Sequence, residues 1–159
     1  MSVKILLNSE CLHNLELSPV TEKLEKWQVD GNLTDYEQQI SFNIEYPREE
    51  NDPRELSEIS EVRLWFIRLD ACYPWFLYLL DGKSGESYRY IAMLVPHQFS
   101  RSEGIQYNPE ALEIFVMNKM FVLGNWLKQQ GVSTPTKLKA IAQTLGYELE
   151  DDFFAMLGL

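Results

Sequence analysis

Helix-start signals recur along this chain, and they limit its fold more than any other feature. A capping residue followed directly by proline occurs at Ser18-Pro19, Asp52-Pro53, Asn108-Pro109 and Thr134-Pro135. The capping side chain can accept a hydrogen bond from a free backbone N–H, and proline lacks only an N–H that the first helical turn leaves unpaired. Apolar residues at helical spacing follow each signal. The sequence therefore predicts four helices.

The ends of these helices are also marked. Gly31, Gly131 and Gly146 stand where the first, third and fourth apolar patterns stop, and glycine is favoured just beyond a helix. The second pattern is predicted to run to about Cys72, because Tyr73-Pro74 pushes the chain out of the helical region. Its apolar stripe consists of Leu56, Ile59, Val62, Phe66 and Leu69.

Strand patterns lie between the helices. The short apolar run from Val3 to Leu7 predicts a buried strand, and the alternation from Gln38 to Tyr46 predicts a strand with one buried face. The segments Trp75 to Leu80 and Ser87 to Val95 flank the turn formers from Asp81 to Gly85, which predicts a hairpin. Together these elements predict an α+β fold in the order β-α-β-α-β-β-α-α.

The chain length fits a single globular domain over residues 1–159. The 159 residues contain 45% hydrophobic residues, which is enough for a real core without disulfides. No repeat or long linker divides the chain. We therefore expect one small, mostly antiparallel sheet packed with about four helices.

Composition excludes several classes of partner. A formal charge of −10 repels phosphate backbones, and no basic patch offsets it, so we expect no nucleic-acid binding. The longest apolar runs are far shorter than a membrane span, and we expect residues 1–7 not to act as a signal peptide. Two dispersed cysteines favour a reducing compartment, so we expect a cytoplasmic protein.

No catalytic or metal motif stands out. His13 and His97 are the only histidines, and Cys11 with His13 is weak support for a thiol enzyme. Two scattered histidines and two cysteines give no metal-ligand spacing. Gly82-Lys83-Ser84 lacks the glycine spacing of a phosphate loop, and a strand is expected after it. We expect no catalysis, no cofactor and no metal.

Some segments allow two interpretations. The acidic segment from Glu45 to Glu61 could steer a basic partner or form a solvated surface, and Trp65 could widen the core or face a partner. The tail residues Phe153, Phe154, Met156 and Leu157 could dock on the core or stay exposed.

The stretch from Pro96 to Tyr107 is the strongest candidate binding segment. It has little periodicity and the length of a functional loop, and it is rich in recognition side chains. The alternative is a crossover in which Phe99, Ile105 and Tyr107 fill the core. The candidate partner-binding residues are Trp65, Trp75, His97, Gln98, Arg101, Glu103, Gln106 and Tyr107.

Four distinctive words then link the chain to a known family. They are RLDACYPW, MLVPHQF, EGIQYNPEAL and LGYEL, and the similarity covers about residues 62 to 150. In these words the chain resembles the chlororespiratory reduction 6 family of cyanobacteria and plastids. The matching loop and helix words are carried over only as candidate partner surface.

The resemblance implies a non-catalytic assembly factor of the photosynthetic NAD(P)H dehydrogenase-like complex. Such a factor binds the immature peripheral-arm subunit that carries iron–sulfur clusters and resembles ferredoxin, in the cytoplasm or the plastid stroma. The missing catalytic and metal motifs agree with that role. The alternative from the residues alone is a small-molecule-binding enzyme or sensor with a pocket near His97.

Overall fold

The computed structural model describes residues 2–159. The chain forms two compact units, one running to His97 and the other spanning Gln98–Leu159. Helices and two small sheets make up the chain, one sheet parallel and one antiparallel, so the predicted α+β class is confirmed. The chain forms two two-stranded sheets in place of the expected single, mostly antiparallel sheet, and β1 and β2 are parallel. The single-domain assignment stays a prediction.

The first unit is organised around a parallel pair of strands. β1 (Val3–Asn8) pairs with β2 (Ile40–Glu45), as the two strand patterns predict. The connection between them contains the short helix α1 (Ser9–His13), helix α2 (Ser18–Asp30) and a 3-10 turn at Leu33–Tyr36. A connection of this length and helical content is typical of parallel neighbours. No local pattern predicted α1.

The buried face of this sheet carries part of the core. Ile5, Leu7, Ile40 and Phe42 are at most 4% exposed. The ring of Phe42 lies in edge or tilted contact with those of Trp65, Phe66 and Phe76. The alternation read from the sequence therefore identifies the face that packs inward.

Helix α2 ends as predicted but begins with a different cap. Gly31 follows the helix in the left-handed region, at φ 71°. Ser18 lies inside the helix, and its hydroxyl donates to the Glu16 carboxylate. Leu17 is the capping position and supplies no side-chain bond, so the predicted capping role of Ser18 is wrong.

Helix α3 (Ser60–Cys72) starts later than the Asp52-Pro53 signal predicts. The carboxylate of Asp52 accepts hydrogen bonds from the backbone and guanidinium of Arg54 instead of capping a helix. A short 3-10 turn at Leu56–Glu58 precedes α3. The predicted helix end is confirmed, because Tyr73 follows Cys72 as the C-cap.

The predicted hairpin from Trp75 to Val95 is wrong. Its first half is a 3-10 turn, Phe76–Leu79, and its second half is helix α4 (Glu86–Leu94). Every side chain of the 3-10 turn is buried, so packing overrides the β propensity of these residues. Only Leu80 keeps strand character, through a single parallel bridge to Ile40.

The loop before α4 is closed by its own side chain. Asp81 Oδ1 accepts from the backbone N–H of Lys83 at 2.8 Å and of Ser84 at 3.3 Å. Gly85 then adopts φ 75° as the residue before the helix. A helix follows this loop where the sequence predicted a strand. The spacing of the glycines still excludes a phosphate loop.

An antiparallel hairpin follows α4. β3 (His97–Ser100) pairs with β4 (Gly104–Tyr107), where the sequence suggested an irregular loop. Helices α5 (Pro109–Gln129) and α6 (Pro135–Thr144) follow at the predicted positions. The cap of α5 is as predicted, because Asn108 Oδ1 accepts from the N–H groups of Glu110 and Ala111.

The C-terminal segment forms a further short helix, α7 (Asp151–Met156). Phe154 is 1% exposed, and the ring of Phe153 lies 6.0 Å from that of Phe121 on α5. Met156 stays 69% exposed. Most of the tail therefore docks, while its last methionine faces solvent.

No helix within residues 2–159 combines the length and apolarity that crossing a membrane requires.

Candidate functional site

The hairpin β3–β4 holds the largest group of sequence-predicted binding residues. Its turn is built locally: Gly104 adopts φ 75°, which L-residues rarely reach, and Gln106 donates to the carboxylate of Glu103. The hydroxyls of Ser100 and Ser102 lie 3.1 Å apart. These contacts fix a defined ribbon rather than a loose loop.

Two apolar side chains of this hairpin are partly exposed to solvent. Phe99 is 55% exposed and Ile105 is 37% exposed. The crossover interpretation needs both in the core and is therefore wrong for these two residues. Tyr107 is half-buried. These two side chains make the ribbon a candidate recognition surface.

The polar candidates lie on the same ribbon as these apolar groups. Gln98, Arg101, Glu103 and Gln106 are all exposed. Arginine and aromatic residues are enriched where proteins bind each other, and amides can donate and accept at once. The hairpin thus combines apolar contact area with polar groups that give orientation.

The two tryptophan candidates lie elsewhere, in the first unit. Trp65 is fully buried, and its indole N–H donates to the Glu16 carbonyl at 2.9 Å. Its core interpretation is the one the structure supports. Trp75 is half-buried, with its ring 5.6 Å from that of Tyr73 in an edge-to-face contact.

His97 is held inside the first unit by a contact that the sequence did not reveal. Its side chain is 3% exposed, and Nε2 lies 2.8 Å from Ser57 Oγ and 3.8 Å from a Glu55 carboxylate oxygen. The other ring nitrogen lies 3.4 Å from the Val95 carbonyl. Ser57 comes forty residues earlier and belongs to no motif, so spacing could not identify it.

This serine–histidine pair has the donor order of a nucleophile and base but not the access. In the tautomer whose Nδ1–H donates to the Val95 carbonyl, Nε2 accepts a hydrogen bond from the Ser57 hydroxyl, which is the donor order of an activated serine. Ser57 is only 4% exposed, so a substrate does not reach its oxygen. The pair is suited to joining two segments of the first unit.

A cleft of about 320 Å³ lies in the second unit. Its lining residues are Lys139, Gln143, Glu148, Leu149 and Glu150, and they include no histidine. The cleft therefore supplies neither the base nor the location that the small-molecule alternative near His97 requires.

The acidic segment is partly neutralised by its own contacts. Arg54 bonds to Asp52 and lowers the pKa of that carboxyl to about 2. Arg48 donates to the Arg54 carbonyl. Glu49 and Glu50 remain exposed, so the segment keeps a negative surface at one end.

Buried titratable groups of the first unit serve the fold. Tyr90 donates to the Asp70 carboxylate, and burial with this neighbouring charge raises the tyrosine pKa well above its usual value. Burial also raises the pKa of Glu86, which bonds to Arg89. Within residues 2–159, no cluster of three or more histidine, cysteine or acidic side chains is arranged to hold a metal ion.

The chain matches a known family over nearly its whole length. The family model described as chlororespiratory reduction 6 matches residues 7–156. The similarity therefore begins in β1 and extends well beyond the segment that carries the four sequence words. No solved structure matches this chain.

Proposed function

Because the chain belongs to the chlororespiratory reduction 6 family, we propose that it is a non-catalytic assembly factor for the iron–sulfur subunit of the peripheral arm. The family takes part in biogenesis of the NAD(P)H dehydrogenase complex. The proposed role is to bind this subunit before it joins the photosynthetic complex. The proposed compartment is the cytoplasm, or the stroma if the host is a plastid.

The observation that carries the proposal is the solvent-exposed apolar pair on the β3–β4 hairpin. Phe99 and Ile105 gain by leaving water, and a partner that covers them provides that gain. Arg101 lies in the turn between them and can pair with a carboxylate of the partner. We assign the partner contact to this hairpin.

The remaining candidate residues are proposed to contribute in different ways to partner binding. Gln98, Glu103, Gln106 and Tyr107 are proposed to make further polar contacts from the same hairpin. Trp75 is proposed as a separate, secondary contact. The proposal does not use Trp65 or the ring of His97, because both side chains are buried.

The test of this function is a titration of the chain into the recombinant apo iron–sulfur subunit, with the cluster-loaded subunit as comparison. We expect stronger binding to the apo form. Binding should be weaker at physiological than at low salt, because salt screens the attraction between the chain's charge of −10 and a basic partner surface. Absence of binding to either form contradicts the proposed function.

Variants of the hairpin test the assigned surface. Phe99→Ser combined with Ile105→Ser removes the exposed apolar area and should weaken binding by about tenfold or more, or about 1.4 kcal/mol. The matched control is Val29→Ser, because Val29 is 87% exposed at the end of α2. If the control weakens binding as much as the double variant, the contact is not the hairpin.

A second pair tests the polar part of the same surface. Arg101→Ala with Tyr107→Ala should lower the affinity for the apo subunit and leave the melting temperature nearly unchanged. If this pair unfolds the protein while the folded fraction binds normally, these side chains are structural.

A further inference from the structure

One edge of the parallel sheet is left open in the structure. In a parallel pair, alternate residues turn their backbone groups toward the neighbouring strand. The Val3 N–H donates to the Gln39 carbonyl at 2.8 Å, so Val3, Ile5 and Leu7 face β2. The backbone N–H and C=O groups of Lys4 and Leu6 consequently point away from β2.

Within residues 2–159, β1 has no strand partner other than β2. The far edge of β2 is closed by contrast. Leu80 bridges Ile40, and the Asp81 N–H donates to the Ile40 carbonyl at 2.7 Å. The fold therefore protects one edge of this sheet and exposes the other.

The open edge also carries an exposed apolar side chain at its centre. Leu6 is 52% exposed between the exposed Lys4 and Asn8. Parallel sheets are normally covered on both faces, and open edges usually carry charge or proline. Lys4 provides one such charge, but Leu6 adds apolar area that favours pairing.

We propose that a second copy of this chain pairs with β1, antiparallel and about a twofold axis at Leu6. This register places Leu6 opposite Leu6 and Lys4 opposite Asn8. The outward N–H and C=O groups of Leu6 bond reciprocally, and the Asn8 N–H donates to the Lys4 carbonyl of the other copy. The two parallel pairs then form one continuous four-stranded sheet.

Charge favours this register in particular. No like charges stand opposite each other, because Lys4 meets Asn8. Glu45 is the register partner of Asn8 on β2, so it lies one strand beyond. The distance from Lys4 is then about two strand spacings, roughly 10 Å, which the two side chains together can span. Lys4 and Glu45 therefore complete a symmetric pair of ionic contacts.

The contact is short, so the dimer is weak. Interfaces at the small end of the size range support transient association. We expect a dissociation constant of roughly 10 to 100 µM, measured by sedimentation equilibrium of the full chain at physiological salt, which screens the net charge. A monomer at all concentrations up to about 1 mM overturns the proposal.

Substitution at the twofold axis identifies the surface. Leu6→Lys places two like charges directly opposite each other and should raise the dissociation constant about tenfold or more. The matched control is Leu64→Lys on α3, because Leu64 has the same 52% exposure. A dimer that persists in the first variant, or is lost in the control, overturns the assignment.

A backbone variant tests the mechanism without adding charge. Leu6→Pro removes an N–H that points away from β2, so the β1–β2 bonds remain, as edge prolines allow. We expect loss of the dimer with melting close to that of the parent chain. If Leu6→Pro does not fold, the charge exchange Lys4→Glu with Glu45→Lys decides: Lys4→Glu alone should weaken the dimer and the double variant should restore it.

Discussion

The two sheets of this molecule are each two-stranded, yet they differ in whether their apolar side chains are buried or exposed. The β1–β2 pair buries Phe42 among aromatic rings, whereas the β3–β4 hairpin leaves Phe99 more than half exposed. A two-stranded ribbon has little stability of its own, so packing must support the first sheet. The same small element can therefore build a core or present a surface.

The largest expected effect is a loss of stability when the aromatic core of the β1–β2 sheet is disturbed. Phe42→Ala removes a ring that contacts Trp65, Phe66 and Phe76, and it leaves a cavity. We expect a loss of about 3 to 5 kcal/mol in the free energy of unfolding, measured by urea denaturation. A loss below about 1 kcal/mol would mean that the β1–β2 sheet is not part of the stabilising core.

An intermediate effect is expected where β3 begins. Ser57→Ala deletes the hydroxyl that meets the buried His97 ring and leaves a ring nitrogen without that partner. We expect a loss of about 1 to 3 kcal/mol in the free energy of unfolding. Ser102→Ala, in the exposed turn, is the control and should leave stability unchanged. Equal effects from the two variants would contradict the structural role of the pair.

A smaller, pH-dependent effect is expected at the buried Glu86. Burial raises the pKa of the Glu86 carboxyl above the usual 4.5 in the folded protein. As pH rises, the unfolded chain therefore loses this proton before the folded protein does. The ionised side chain therefore costs stability above its folded pKa, and that cost disappears as pH falls below 4.5. Glu86→Gln should be more stable than the parent at pH 7 and equal to it at low pH.

Denaturation of both proteins at several pH values checks this expectation. A constant difference across the pH range would place its origin in packing or in the lost Arg89 contact, and not in ionisation.

The smallest effect on stability is expected at the hairpin. Phe99→Ser with Ile105→Ser changes side chains that already face water, so the free energy of unfolding should shift by no more than about 0.5 kcal/mol. Thermal and urea unfolding measure the shift. A large loss would show that the hairpin supports the fold, and the contrast between the two sheets would fail.

Local signals predict β1, β2, α2, α3, α5 and α6, but not α1, α4, α7 or the β3–β4 hairpin. The same type of signal gives opposite results at two positions, however: Asn108 caps α5, while the Asp52 carboxylate is taken by Arg54. Whether a side chain caps a helix depends on which donor bonds to its oxygen, because a nearby guanidinium competes with a backbone N–H. Sequence spacing alone does not rank these donors.

Tertiary packing explains the main error. The residues from Phe76 to Leu79 have high β propensity, but burial on all sides removes the alternation that distinguishes a strand. The candidate site was predictable in part, because recognition residues cluster between Gln98 and Tyr107. The exposure of Phe99 and the partnership of Ser57 with His97 depend on contacts distant in sequence, which no local pattern contains.

The parallel pairing of β1 with β2 also determines the order in which the chain can acquire its structure. Val3 meets Ile40 only after the whole intervening connection has closed, whereas β3 and β4 are neighbours joined by a tight turn. Local hairpins form in microseconds, and non-local pairing is slower because loop closure must precede it. During synthesis, β1 therefore waits with both edges unpaired until β2 has left the ribosome.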